Sequence, residues 1–82
     1  MIRGLYTIRD EASGLYMTPT TNLTNDAAIR DFDFALKSNE LMKFKPQDFS
    51  LWKIGEYDDV TGVIDADNPQ CLKRGAKRDV KS

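Results

Sequence analysis

The chain has 82 residues, 40% hydrophobic and 30% charged, with twelve Lys and Arg against thirteen Asp and Glu and no histidine. That length makes one domain with a thin core, and the single Cys71 excludes an internal disulfide and suits a reducing cytosol. The lack of histidine excludes Ser-His-Asp and Cys-His nucleophilic sites and most zinc sites.

Taken in order, Ile2 to Asp10 reads as a strand, with Ile2, Tyr6 and Ile8 on one face and Arg3, Leu5, Thr7 and Arg9 on the other. Met1-Ile2-Arg3-Gly4 lacks the apolar core of a signal peptide, and no run approaches the roughly 18 apolar residues of a membrane span. The chain is therefore expected to stay where it is made. Glu11-Ala12-Ser13-Gly14 supplies turn chemistry, with Gly14 suited to a left-handed position. Leu15 to Thr18 returns as a second strand, which Pro19 stops. Thr20 to Thr24 is polar and linker-like.

A helix is predicted from about Asp26 to Lys37, capped by Thr24 or Asn25, with Asp26 in the first turn where the helix dipole favours an anion. Ala28, Ile29, Phe32, Ala35 and Leu36 make its apolar stripe. Phe34 lies well off that stripe. Either Leu41, Met42 and Phe44 fold back over it, or it is an intermolecular contact. Ser38 to Lys45 is less regular, with a short second helix expected around Glu40 to Lys43.

Pro46 ends that segment, because it cannot sit inside a helix. Leu51 to Tyr57 is rich in bulky apolar and aromatic residues on both parities and reads as a strand. In Asp58-Asp59-Val60-Thr61-Gly62, Gly62 can take the positive φ that closes a turn, and Val63 to Ala66 returns. Asp67-Asn68-Pro69 reads as a terminator, and no apolar periodicity follows it.

The order strand, strand, helix, strand, strand predicts an α+β fold: a ββαββ antiparallel sheet of about four strands with one main helix on one face. Residues 1–68 form the domain and residues 69–82 a flexible basic tail. One short helix covers one side only. Yet Leu51 and Tyr57 share one parity, Trp52 and Ile54 the other, so a second copy is the simplest cover for the second face. A homodimer is expected.

Chemistry is sparse. Cys71 has no imidazole to activate it and reads as an incidental thiol. Asp58, Asp59, Asp65 and Asp67 are the residue type that hard cations prefer, but turns prefer it too, and the spacing is not that of an EF-hand. Neither catalysis, a metal nor a cofactor is expected. Binding is the class that remains. Residues 1–72 carry seven Lys and Arg against twelve Asp and Glu, whereas residues 73–82 carry five against one. The acidic body and basic end point to polyanion contact through Lys73, Arg74, Lys77, Arg78 and Lys81, as successive phosphate contacts or as one stripe if helical. With four or five phosphates neutralised, single-strand affinity falls with salt at a log–log slope of about −3. Tyr6, Tyr16, Trp52 and Tyr57 lie in or beside strands, where aromatics can stack on unpaired bases. Trp52 with Lys53, and Tyr16 on the outer hairpin, are the candidates.

The run from Pro46 to Gly62, PQDFSLWKIGEYDDVTG, resembles a segment of the pattern P-E-D-(F/Y)-x-L-(F/W)-x-(I/L)-G-x-(F/Y)-D-D-x-T-G. That segment is typical of the small nonstructural protein of gokushoviruses, tailless single-stranded DNA phages of the Microviridae. Arg9-Asp10 and Ala28-Ile29-Arg30-Asp31-Phe32 match in the same order, so the resemblance spans about residues 5–66. The Pro-rich stretch usual after the first hairpin is reduced here to Pro19. The resemblance implies a DNA-binding phage protein made in the host bacterial cytoplasm. It also implies a role in viral DNA replication, comparable with the microvirus protein that shifts synthesis toward single-stranded genomes and packaging. No site residue follows from it; those named above rest on charge and aromatic placement.

Two readings result. One is a non-enzymatic, dimeric single-stranded-DNA-binding protein. The alternative is a protein–protein adaptor docking on a phage or host replication or assembly factor, favoured by the acidic body and the apolar second sheet face.

Overall fold

Strand β1 (Ile2–Asp10) is the axis of the fold in the computed structural model, which describes residues 1–76. Strands β2 (Leu15–Tyr16) and β3 (Thr20–Asn22) pair with β1, β4 (Phe49–Asp58) takes its other edge, and β5 (Ile64–Arg74) adds outside β4. Every pairing is antiparallel, which makes a five-stranded sheet. Helix α1 (Asn25–Ser38) packs on one face, and a 3-10 turn (Pro46–Asp48) leads into β4. The α+β class with one helix on one face holds, and three strands precede the helix where the ββαββ order has two. The fifth strand is the Thr20–Asn22 segment, whose polar residues read as a linker but pair opposite Gly4 to Tyr6.

The helix forms as its spacing predicts. Thr24 is the N-cap, its Oγ1 accepting from the Ala27 N–H at 3.0 Å, with Asp26 in the first turn and Lys37 in the last. Ala28 and Phe32 are buried against Tyr6, Phe49 and Leu51, and Ile29, Ala35 and Leu36 pack around them. Full burial of a side chain such as Phe32 or Leu51 stabilises by about 1.5–3 kcal/mol each. The Tyr6 hydroxyl donates to Asn25 Oδ1 at 2.7 Å, so the buried ring keeps its polar end satisfied.

After α1, Asn39 Oδ1 accepts from the N–H groups of Leu41 and Met42 at 2.9 and 3.1 Å. That bond curls residues 40–44 into a turn rather than the expected second helix. The turn drives Met42 into the core at 1% exposure and leaves Leu41 and Phe44 outside at 62% and 80%. The fold-back over Phe34 therefore does not occur, and Phe34 stays 70% exposed.

Three register shifts rewrite the second half of the sheet, one of them leaving Leu72 as an extra residue on β5 between the partners of Leu51 and Trp52. Leu5 opposes Gly55 while Tyr6 opposes Lys53, so Ile54 is an extra residue on β4. A bulge shifts side-chain parity by one, and Tyr57 ends on the Trp52 side rather than the Leu51 side. Across β4, Lys53 opposes Gln70 but Gly55 opposes Ala66, leaving Asp67, Asn68 and Pro69 looped opposite Ile54. Pro69 thus sits in a bulge on an edge strand, where its missing N–H costs no ladder bond. It does not terminate β5, which runs on to Arg74.

The boundary expected after Asn68 accordingly falls inside a strand. Beyond it, the Gly75 N–H donates to the Phe49 carbonyl at 2.8 Å, and a Cβ at Gly75 would collide with the Pro46 carbonyl. Residues 73–76 are tied to the domain, and the rest of the expected tail lies outside the described residues. The hairpin turn is as expected, with Gly62 at φ 78° and its N–H donating to the Asp58 carbonyl at 2.8 Å.

Candidate nucleic-acid interface

Directly opposed residues of an antiparallel pair project to the same side of the sheet. The register therefore assigns the face away from α1: Arg3, Leu5, Thr7 and Arg9 of β1, Tyr16 of β2, Ser50, Trp52 and Tyr57 of β4, and Cys71 and Arg74 of β5. The β1 assignment matches the alternation read from sequence.

An arginine–aromatic cluster occupies the middle of this face. Tyr16 and Trp52 meet edge to face, ring centroids 6.1 Å apart and planes at 84°. The Arg9 guanidinium lies 5.5 Å from the Tyr16 centroid, within cation–π reach. Trp52 Nε1 donates to Ser50 Oγ at 2.8 Å, and Ser50 Oγ donates to Glu11 Oε2 at 2.6 Å. Glu11 also takes Arg9 Nη1 at 3.2 Å and Arg74 Nη1 at 3.6 Å. One carboxylate therefore holds a hydroxyl and two cations, and the cluster keeps one net positive charge. Arg9 Nε is buried without a hydrogen-bond partner, whereas Arg74 is 67% exposed and only loosely held.

The arrangement orients the indole. With its N–H turned inward to Ser50, Trp52 is half-buried, and Tyr16 beside it is 47% exposed. Aromatic rings fixed in this way beside guanidinium groups can stack on unpaired bases while the cations meet phosphates.

The expected site residues divide. Tyr16, Trp52 and Arg74 come together on this face. Lys53 does not: it projects to the helix side, with Glu56 at 3.9 Å. Lys73 also faces α1, where its Nζ lies 2.9 Å from Asp33 Oδ2. Lys73 and Arg74 point oppositely because they are successive strand residues, so the helical stripe expected of the cations does not start there. Lys77, Arg78 and Lys81 lie outside the described residues. Arg9, Glu11 and Ser50 were not among the expected residues. The alternation did place Arg9 on the outer face, but nothing local joins Glu11 to Ser50, 39 residues away.

At the end of the sheet, the Met1 ammonium and Arg3 Nε bind Asp59 at 2.9 and 3.0 Å. Those two bonds, the ammonium's first, hold the Asp59 carboxyl below its usual range, and the same contact raises the Met1 amine. Burial, helped by the charge of Glu56, pushes the Tyr6 phenol up. Among the described residues, no three His, Cys, Asp or Glu side chains are grouped to hold a metal ion, and no helix is long and apolar enough to cross a membrane.

Fold and face together define a small α+β protein whose open sheet surface is built from arginine and aromatic side chains. Residues 3–78 match the family described as Phage ORF5 protein. The chain belongs to that family and is a phage protein. No curated protein and no solved structure matches it.

Proposed function

We propose that this protein is a non-enzymatic, nonstructural phage protein of gokushovirus type that binds single-stranded DNA on its open sheet face. It would act in the host bacterial cytoplasm, in viral genome replication, in the switch to single-strand synthesis and in packaging. The observation that carries the reading is the Arg9–Tyr16–Trp52 cluster with Arg74 at its rim. The resemblance of residues 46–62 to the gokushovirus segment supports the viral assignment. DNA and a homodimer partner would compete for this face, and its cations favour DNA.

Fluorescence anisotropy with a labelled single-stranded oligonucleotide tests the reading. If Arg9 and Arg74 alone meet phosphates, the log–log salt slope is about −1.4, and a slope near −3 brings in the cations of residues 77–82. Glu11→Gln releases both arginines and tightens binding several-fold. No binding at low salt, or binding unchanged in Trp52→Ala and Arg9→Ala, removes the proposed surface.

The adaptor reading has its own support in the exposed Phe34 and Phe44, at 70% and 80%, on a chain whose first 72 residues are net acidic. Capture of a phage or host replication protein that survives nuclease favours it over DNA binding.

A further inference from the structure

The two ends of this molecule carry opposite charge, each around exposed apolar side chains. Its longest extent is 48 Å, and the ten residues of β4 separate the ends by about 33 Å. At one end, a groove of about 650 Å³ lies between the last turn of α1 and the end of β5. Phe44 and Pro46 line it, with Lys37, Lys43 and Lys73 around them. Asp33 holds Lys73 at 2.9 Å and Glu40 holds Lys43 at 3.2 Å, which leaves the groove positive.

At the other end is the β4–β5 hairpin. Val60, Val63 and Ile64 are 80%, 60% and 59% exposed. Asp65 and Asp67 follow, both exposed, and Asp58 and Asp59 precede them. The tip is held in shape from within: Asp58 Oδ1 accepts from the Val60 N–H at 2.9 Å, and the Asp58 N–H donates to the Val63 carbonyl at 3.0 Å. A rigid apolar tip flanked by carboxylates is the complement of an apolar groove flanked by ammonium groups.

We propose that the hairpin tip of one copy seats in the groove of the next. Val60 and Val63 lie against Phe44 and Pro46, and Asp65 and Asp67 face Lys37, Lys43 and Lys73. The contact is heterologous, joining two different surfaces, so it propagates into open chains instead of closing as a symmetric dimer. It leaves the Trp52 face free on every copy. It does not rest on the DNA reading, and its test contains no nucleic acid.

Sedimentation of the full chain over a concentration series at low salt reads it directly. The weight-average mass rises past two protomers without a plateau and falls back as salt screens the contact. Asp65→Lys with Asp67→Lys in one variant, and Lys37→Glu with Lys43→Glu in another, each give single protomers. All four positions are exposed, and circular dichroism confirms that both variants fold. Mixing the two variants restores association, because each then offers the other a matched tip and groove. One protomer at every concentration, a plateau at two, or a mixture that stays dissociated overturns the proposal. So does a groove variant that keeps the native mass, since the groove is then not what joins the copies.

Discussion

The two faces of this sheet are made by alternate residues of the same strands, yet they obey different rules. Toward α1, Tyr6, Phe49 and Leu51 close with Phe32 and Met42 into an apolar core with almost no exposed surface. Away from it, Arg9, Tyr16, Ser50 and Trp52 are joined by hydrogen bonds, an ion pair and ring edges, and the exposed Arg74 is drawn to their rim. The first face depends on packing volume and the second on directed polar contacts. Stability and binding should therefore separate cleanly by face.

The largest expected effect tests the packed face. Phe32→Ala removes a buried ring at the centre of the core and should cost about 3–5 kcal/mol. That is a large share of the roughly 5–15 kcal/mol that holds a domain together, so urea denaturation should show a protein close to unfolded. A small shift would mean the core can collapse around the gap and is looser than its burial indicates.

Next comes the open face. Trp52→Ala should weaken single-strand binding by about 1–3 kcal/mol, the range for one base stacked on one aromatic ring. Its stability loss should be smaller than that of Phe32→Ala, because Trp52 is only half-buried. If Trp52→Ala unfolds the protein as readily as Phe32→Ala, the two faces are not distinct in kind.

Tyr6→Phe sharpens the contrast by deleting one polar contact from the packed face. Loss of the bond to Asn25 should cost about 1 kcal/mol with no change in DNA affinity. The phenol adds a pH dependence. Its folded pKa is raised above the ordinary value near 10, so its contribution is complete below that value and is lost as pH rises through the raised one. Thermal melts of the wild type, but not of Tyr6→Phe, should therefore drop further in strong alkali.

The smallest effect is expected at the sheet's end. Asp59 sits below the usual carboxylate range, so its pairing helps above that range and fades as pH falls through the depressed value. Asp59→Asn should shift the melting temperature only slightly, and the shift should vanish in high salt because the partners are exposed.

Much of the packed side was readable from residue spacing. The stripe of Ala28, Ile29, Phe32, Ala35 and Leu36 and the Thr24 cap are local features, set within a few residues of one another. The alternation of β1 placed Tyr6 and Ile8 inside and Arg9 outside for the same reason. Tyr16 and Trp52 were readable as candidates, but their meeting was not, nor was the loss of Lys53 and Lys73 to the other face. Arg9, Glu11, Ser50 and Arg74 converge only because β1, β4 and β5 lie side by side.

Sequence by itself therefore determined the two hairpins and the helix between them, the helix's buried stripe, the turn at Gly62 and the charge contrast between residues 1–72 and 73–82. Only the tertiary structure decided that β5 continues past Pro69, that Tyr57 changes sides and that Glu11 holds two arginines. Periodicity reports on neighbours a turn or two away along the chain. A bulge depends on the partner strand, and an edge-strand proline is tolerated only because no strand lies beyond it.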